Sequence, residues 1–306
     1  MSNVRLHILG AGSAKPTKIL TPSGQVLQMC DKQFLIDCGE GTQINMEKMG
    51  LRTPRLDHIF ISHTHGDHCF GLPGLLSTWG MLGRTRSITI HAQPDLERLL
   101  RPWLDYFCTD MSYEVRFHHI NPAKHEVIYE DRTLTVTTLP LKHKVPCCGF
   151  LFQEKQRPPH IRKELIEQYS IPIAEIAKIK DGGDFLMADG ITIPNADLTY
   201  PSEPPYSYAY CSDTAYSEKL IPLVAGVNCL YHEATFSDEY LSRCKDTMHS
   251  TARQAADVAL KAGADRLIIG HYSSRITDFD RLLAEAQAVF PATDLAHDRT
   301  TFRLKD

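Results

Sequence analysis

The segment His63-Thr64-His65-Gly66-Asp67-His68 packs four potential metal ligands into six residues, directly after the apolar run Ile59-Phe60-Ile61. In extended backbone alternate side chains share a face, so His63 and His65 can converge on one ion while the following turn redirects Asp67 and His68 toward a second. A structural zinc site closes with four ligands and favours cysteine. Cys69 follows the cluster, but the chain holds no Cys-x-x-Cys pair, so a finger or ribbon is not indicated.

Two ions need more ligands than one loop provides. Three candidates stand at strand ends: His143 after Thr133 to Pro140, Asp213 after the strand that precedes Thr214, and His271 after Leu267-Ile268-Ile269-Gly270. Each alone is an ordinary loop residue; together they complete a coordination set. A carboxylate such as Asp213 can bridge two ions with its two oxygens, and imidazole-rich coordination favours zinc over magnesium. The expectation is a dinuclear zinc centre with ions roughly 3.5–4 Å apart.

Two divalent ions outweigh Asp67, Asp213 and a bridging hydroxide, so the site stays net positive and suits an anionic phosphodiester whose transition state gathers negative charge on oxygen. Zinc lowers the pKa of bound water toward about 7, which makes hydroxide available near neutrality. Asp67 can orient that nucleophile or take its proton. For the leaving oxygen, His232-Glu233-Ala234-Thr235 together with His249 offers an acid that is not a ligand: if Glu233 accepts from one ring nitrogen of His249, the other can donate. Thr251 and Gln254 fit a capping box just after His249, which would hold it at a rigid helix start.

These side chains need strands to carry them. Alternation predicts strands over residues 4–9, 26–30, 34–37, 56–61, 87–91, 114–120, 126–129 and 133–140, with a short helix ending at Met49, another starting near Gly71 and one over 95–106. Beyond residue 205 the order becomes strand 206–212, helix 217–225, strand 229–232, helix 251–262, strand 266–270 and helix 279–290. The first half is β-rich and the second alternates α with β. Residues about 153–204 break the pattern and read as an insertion with an amphipathic piece over 161–169. From Gln153 to Lys180 it holds six basic against four acidic residues in a chain whose formal net charge is −4.

That overall charge argues against coating nucleic acid by bulk electrostatics, so a polyanion must be held locally. A chain of 306 residues, 42% apolar and 23% charged, fits one large globular core. Nine cysteines, including the adjacent pair Cys147-Cys148, make a poor disulfide framework and suggest reduced thiols. The amino terminus enters a strand pattern without a secretory signature, and no stretch approaches 18 uninterrupted apolar residues. The expected location is the cytoplasm, with no membrane partner.

With those residues in place, the chain resembles the metallo-β-lactamase superfamily and, within it, the ribonuclease Z family of endonucleases that remove 3′ trailers from precursor tRNA. The resemblance runs along essentially the whole chain, through Asp37-Cys38-Gly39-Glu40-Gly41-Thr42-Gln43, the histidine motif leading into Gly71-Leu72-Pro73-Gly74-Leu75-Leu76, His232-Glu233-Ala234-Thr235, and His249-Ser250-Thr251. It implies an α/β fold, a four-layer αβ/βα sandwich forming a single domain over residues 1–306 with an inserted arm at 153–200 that grips tRNA from the other subunit of a homodimer. It also implies two Zn²⁺ per subunit: His63, His65 and His143 hold one, Asp67, His68 and His271 the other, and Asp213 bridges them. Asp67 then doubles as proton acceptor, and Glu233 with His249 assists departure of the 3′ oxygen.

Two segments depart from that family. Ile173-Ala174 stands where bacterial members have Gly-Pro in the arm, and Leu20-Thr21 follows Pro16 and Lys18 where members show Arg-Asn in a loop associated with the CCA end. Rival readings are another dinuclear-zinc hydrolase of the superfamily, a phosphodiesterase or lactonase, and a non-catalytic binding protein, which would normally lack a ligand.

Overall fold

The computed structural model describes residues 3–51 and 55–305; Met1 and Ser2, at the head of the amino-terminal stretch read above, lie outside it. The chain begins with β1 (Val4–Gly10), β2 (Gly24–Met29), β3 (Lys32–Cys38), α1 (Thr42–Lys48), β4 (Leu56–Phe60), α2 (Gly66–Cys69) and α3 (Leu72–Met81). It continues through β5 (Ile88–Ala92), α4 (Pro94–Phe107), β6 (Val115–His119), β7 (Val127–Glu130), β8 (Leu134–Pro140) and β9 (Cys148–Glu154). Next come β10 (His160–Ile161), α5 (Lys163–Gln168), α6 (Ile173–Lys180), β11 (Phe185–Leu186), β12 (Thr192–Ile193), α7 (Asn195–Leu198) and β13 (Thr199–Tyr200). The last third holds β14 (Ser207–Cys211), β15 (Cys229–Glu233), α8 (Leu241–Thr247), α9 (Ala252–Ala262), β16 (Arg266–Gly270), α10 (Phe279–Gln287), β17 (Thr293–Leu295) and β18 (Thr301–Lys305).

Two compact units result, one of residues 1–153 with 207–306, the other of residues 154–206. In the larger unit one sheet has the order β18-β1-β2-β3-β4-β5-β6 and the second β17-β16-β15-β14-β9-β8-β7. Antiparallel pairing joins β18, β1, β2 and β3, and parallel pairing continues from β3 to β6. In the second sheet β14 to β17 run parallel, while β9 meets β14 antiparallel.

The sheets face each other through aromatic residues: Phe60 lies 5.4 Å from Phe150 and 5.3 Å from Phe152, ring centre to ring centre. Alternation sends Leu35, Ile59 and Ile90 to the opposite face, where Leu72, Leu75 and Leu76 of α3 and Leu96, Leu100 and Leu104 of α4 cover them. Burying each such leucine stabilises the layer by about 1.5–3 kcal/mol. On the far side the small face of α9, from Ala252 to Ala262, packs against β15, β16 and α10. Helices therefore cover both sheets from outside, giving the αβ/βα sandwich. Among the described residues no helix is long and apolar enough to cross a membrane.

The smaller unit has its own core of Ile161, Ile171, Ile179, Phe185 and Leu198, flanked by Leu165, Ile166 and Ile176. The Asn195 amide donates to the Ile179 and Gly183 carbonyls (2.6 and 2.9 Å), tying α7 to the end of α6.

Several elements differ from the sequence reading. Strand β9 is absent from that reading because Gly149 interrupts an apolar run without alternation; a Cβ there would stand 2.2 Å from the Tyr210 carbonyl oxygen, so only glycine lets β9 lie against β14. Helix α6, with Pro172 as its N-cap, lies in the insertion beyond the amphipathic piece expected over 161–169. The helix expected over 217–225 is only a 3-10 turn, Ile221–Val224, with Pro222 inside it supplying no N–H.

At one end of the aromatic layer His91 is 3% exposed, its ring stacked 4.3 Å from Phe60. His58 Nδ1 lies 3.1 Å from His91 Nε2, and the His118 ring is 5.0 Å away. Burial first, then the neighbouring His58 and His118 rings, push the His91 pKa down to about 2. The folded ring therefore stays neutral while the unfolded chain takes up a proton below about 6.5, so this contribution to stability is complete above that pH and falls as pH drops toward 2. The loss is about 1.4 kcal/mol per pH unit once below 6.5. Thermal unfolding at pH 7.5 and 5.0 checks this: His91→Phe should narrow the Tm gap between the two conditions, and an unchanged gap contradicts the assignment.

Candidate metal centre

All seven sequence-predicted ligands meet in the larger unit. Strand β4 ends at Phe60, and the extended segment after it turns His63 and His65 to one side, with His63 Nε2 3.0 Å from His65 Nδ1. His143 Nε2, beyond β8, comes within 3.4 Å of the same His65 nitrogen. The single turn α2 carries Asp67 and His68 to the other side, where His68 Nε2 faces His271 Nε2 at 3.3 Å and Asp67 Oδ2 lies 3.5 Å from both rings.

Asp213, 2% exposed at the end of β14, stands between the two sets. Its Oδ2 is 3.6 Å from His63 Nε2 and 3.7 Å from His143 Nε2, while its Oδ1 is 3.2 Å from the Nε2 atoms of both His68 and His271. Ligand atoms of His63, His65, His143 and Asp213 fall within 4.8 Å of one another, and so do those of Asp67, His68 and His271.

The other ring nitrogens show which lone pairs are free. His68 Nδ1 donates to Asp37 Oδ2 (2.7 Å), His143 Nδ1 to the Met248 carbonyl (3.2 Å), His63 Nδ1 to Ser62 Oγ (3.0 Å) and His271 Nδ1 to Thr235 Oγ1 (3.0 Å). Each of these four rings thus has Nδ1 tied away from the centre and turns Nε2 inward. Nε2 is therefore the atom that each ring offers to a cation at the centre.

The local potential agrees. Burial opposes a charge on His68, yet Asp213, Asp37 and Asp67 raise its pKa well above the ordinary value. Burial likewise opposes ionisation of Asp67 and Asp213, and the surrounding imidazoles still hold both carboxyls below the usual range. A pocket negative enough to keep a proton on a fully buried ring suits divalent cations, and its mixture of imidazole and carboxylate fits them.

Beside the ligand candidates, Glu233 at the end of β15 is fully buried and accepts from Thr214 N–H (2.9 Å), Thr235 N–H (3.1 Å), Thr235 Oγ1 (2.7 Å) and His249 Nδ1 (2.8 Å). Burial works against charge on His249, but the adjacent Glu233 carboxylate pushes its pKa up to about 9. Its Nε2 reaches 4.0 Å from Asp213 Oδ2. The predicted capping box forms: Thr251 Oγ1 accepts from Gln254 N–H and the Gln254 side chain accepts from Thr251 N–H. His232, from the same motif, instead donates to the Glu233 carbonyl (2.7 Å), and burial lowers its pKa.

Sequence reasoning gave no role to Asp37, Ser62, Tyr210 or Thr235. Asp37 Oδ1 accepts from Ser62 N–H (2.8 Å), and its Oδ2 accepts from Ser62 Oγ (2.9 Å), His68 Nδ1 (2.7 Å) and Tyr210 Oη (2.6 Å). The available signal was the glycines around it. A Cβ on Gly39 would meet the Asp67 carbonyl oxygen at 2.4 Å and one on Gly71 the Gly39 carbonyl oxygen at 2.3 Å, so both must be glycine for the segment after β3 to lie on the histidine loop.

Solved structures share this architecture. Human tRNase Z, short form, superposes with a TM-score of 0.72 at 22% identity, covering 99% of this chain and 100% of that one. The metallo-beta-lactamase fold protein YhfI from Bacillus subtilis gives 0.70 at 19% identity, covering 99% of each chain. The sandwich is thus the metallo-β-lactamase fold. Residues 4–157 match the family described as Anti-Pycsar protein Apyc1. Over nearly its full length the chain is 50% identical to ribonuclease Z of Bacteroides fragilis, across 304 residues covering 99% of this chain and 100% of that protein. The chain belongs to the ribonuclease Z family.

Asp37 orients two ligand candidates, His68 directly and His63 through Ser62. Replacing one acceptor oxygen by an amide, Asp37→Asn, should weaken metal affinity about 10- to 100-fold. Competition with a chromophoric chelator measures it, and wild-type affinity in the variant would remove Asp37 from this role.

Proposed function

We propose that this protein is a metal-dependent hydrolase, an endoribonuclease that removes the 3′ trailer of precursor tRNA and leaves a 3′-hydroxyl on the tRNA. The observation that carries the reading is the pairing of two inward-facing ligand sets across Asp213 with a separate, charged His249 held by Glu233, in a chain half identical to a ribonuclease Z over its full length. Two Zn²⁺ fit as the cofactor: His63, His65 and His143 would hold one and Asp67, His68 and His271 the other, with Asp213 between the two sets. When bound, these ions supply Lewis acidity toward the phosphodiester and its attacking water.

The residues divide the remaining work. Asp67, its Oδ2 also accepting from Ala14 N–H at 2.7 Å, is fixed to orient the attacking water and take its proton. His249 carries a proton at neutral pH and has Nε2 free of the Glu233 bond, so it donates to the departing 3′ oxygen. Glu233, saturated by four donors, keeps that ring in place. The inserted arm, residues 153–200, binds tRNA, with Lys178 and Lys180 on α6 among its cations, and the active species is a cytoplasmic homodimer.

Incubation with a 3′-extended precursor tRNA and mapping of both product ends tests the reading. A single cut leaving a 3′-hydroxyl is expected, whereas turnover of bis(p-nitrophenyl) phosphate with an untouched precursor would point to a different hydrolase. Asp213→Ala should abolish cleavage and reduce bound metal. His249→Ala should lower kcat by about 10²- to 10⁴-fold while tRNA affinity holds; a loss confined to affinity would make His249 a binding residue only.

A further inference from the structure

A cavity of about 910 Å³ opens beside the ligand cluster, and His143 forms part of its wall together with Leu141, Lys142, Tyr216, Glu218 and Lys219. Three features give it a chemistry. The Tyr216 hydroxyl donates to Asp257 Oδ2 (2.7 Å) and accepts from Lys261 Nζ (3.0 Å), both on α9, so the ring is fixed as a wall and cannot swing away. Lys142 and Lys219 are exposed and make no ion pair among the described residues, unlike Lys261, which is tied to Asp257 at 2.7 Å. The Lys142 backbone is nevertheless anchored, its N–H donating to Thr214 Oγ1 (3.1 Å) and its carbonyl accepting from Ala215 N–H (2.8 Å), so a free ammonium rides on a fixed stem.

A held aromatic ring, an apolar wall and two unpaired cations against one acid, Glu218, suit a nucleotide: the base lies on the ring and the phosphate between the ammonium groups. The side of the cut follows from His249. Its ring lies 5.1 Å from that of His143, so the cavity adjoins the donor to the departing oxygen.

We propose that this cavity receives the nucleotide whose 3′ oxygen leaves, with its base on Tyr216 and its phosphate held by Lys142 and Lys219. The inference rests on the nuclease reading above and adds the subsite that seats the RNA.

The test is a double-mutant cycle between protein and RNA. Wild type, Tyr216→Phe and Tyr216→Leu are assayed on a precursor tRNA with either a normal or an abasic nucleotide immediately 5′ of the cut. Tyr216→Leu should raise KM about tenfold with little change in kcat, Tyr216→Phe, which keeps the ring but loses the hydroxyl that holds it, should raise KM by less, and the abasic lesion should cost wild type a factor similar to that of Tyr216→Leu but Tyr216→Leu little more. In parallel, Lys142→Ala and Lys219→Ala should each weaken binding of the mature tRNA, read by fluorescence anisotropy, and lower the slope of log affinity against log salt by about 0.7. Metal content is measured in every variant and should be unchanged.

Independent, additive costs of Tyr216→Leu and the abasic lesion would overturn the proposal, as would coupling to the nucleotide 3′ of the cut. An unaltered salt slope in both lysine variants would overturn the phosphate contact. A wild-type protein that leaves the precursor uncut defeats the nuclease reading itself, whereas cleavage without coupling defeats only the subsite.

Discussion

A single buried carboxylate, Asp37, ties the two halves of the sandwich to the centre between them. It sits at 0% exposure at the end of β3, and its donors come from the loop after β4, from α2 and, through Tyr210, from β14 of the opposite sheet. A carboxyl group in such surroundings is tolerated only when its oxygens are hydrogen-bonded, and four donors meet that demand. Burial keeps the Tyr210 hydroxyl protonated and therefore a donor. The geometry has a backbone cost as well: Asp37 has φ +55°, and His271 has φ +62°, left-handed values that non-glycine residues seldom adopt. Strain at two residues of one site is held there by the surrounding sheets.

The electrostatics place contradictory demands on the side chains alone. His63 is kept neutral, first by burial and then by the charge on His68, while His68 is pressed toward the charged form by three carboxylates. Buried acids and imidazoles in such proximity suit a ligand set for cations. His249 escapes this conflict because Glu233 serves it privately. The separation gives His249 a carboxylate partner outside the ligand set.

The legible part of the site is the part encoded locally. His63 to His68 announces itself within six residues; His143, Asp213 and His271 show because a polar ligand directly follows an apolar strand; the Thr251 capping box is a four-residue pattern. Asp37 lies 25, 31 and 173 residues from the partners that give it meaning, so spacing offers no clue to them. Thr235 is hidden for a related reason, since its hydroxyl matters only where β15 and β16 bring Glu233 and His271 together. In the fold, alternation exposed the half-buried strands, whereas β9 is buried along most of its length and interrupted by a glycine whose purpose is visible only in contact with β14.

The two departures from the family pattern fall on different structural footings. Ile173 opens α6 and is 87% exposed, while Ile176 and Ile179 of the same helix carry the small core, so replacing a Gly-Pro pair there leaves that core in place. Leu20 and Thr21 instead form the base of a loop. Leu20 is buried, and Thr21 donates through its amide and hydroxyl to Asp298 Oδ2 (2.7 and 2.8 Å) and accepts from the Asn45 amide at 3.0 Å. The other end of the loop is fastened where Ala14 N–H meets Asp67 Oδ2. Between these anchors Lys15, Pro16, Lys18 and Ile19 stay exposed. A polar side chain at position 21 thus serves the anchoring that fixes the loop, and the residues free to vary in what they present are those at its tip. Because one anchor is Asp67 itself, displacement of the tip acts on an oxygen of the ligand set, which couples this loop to the centre.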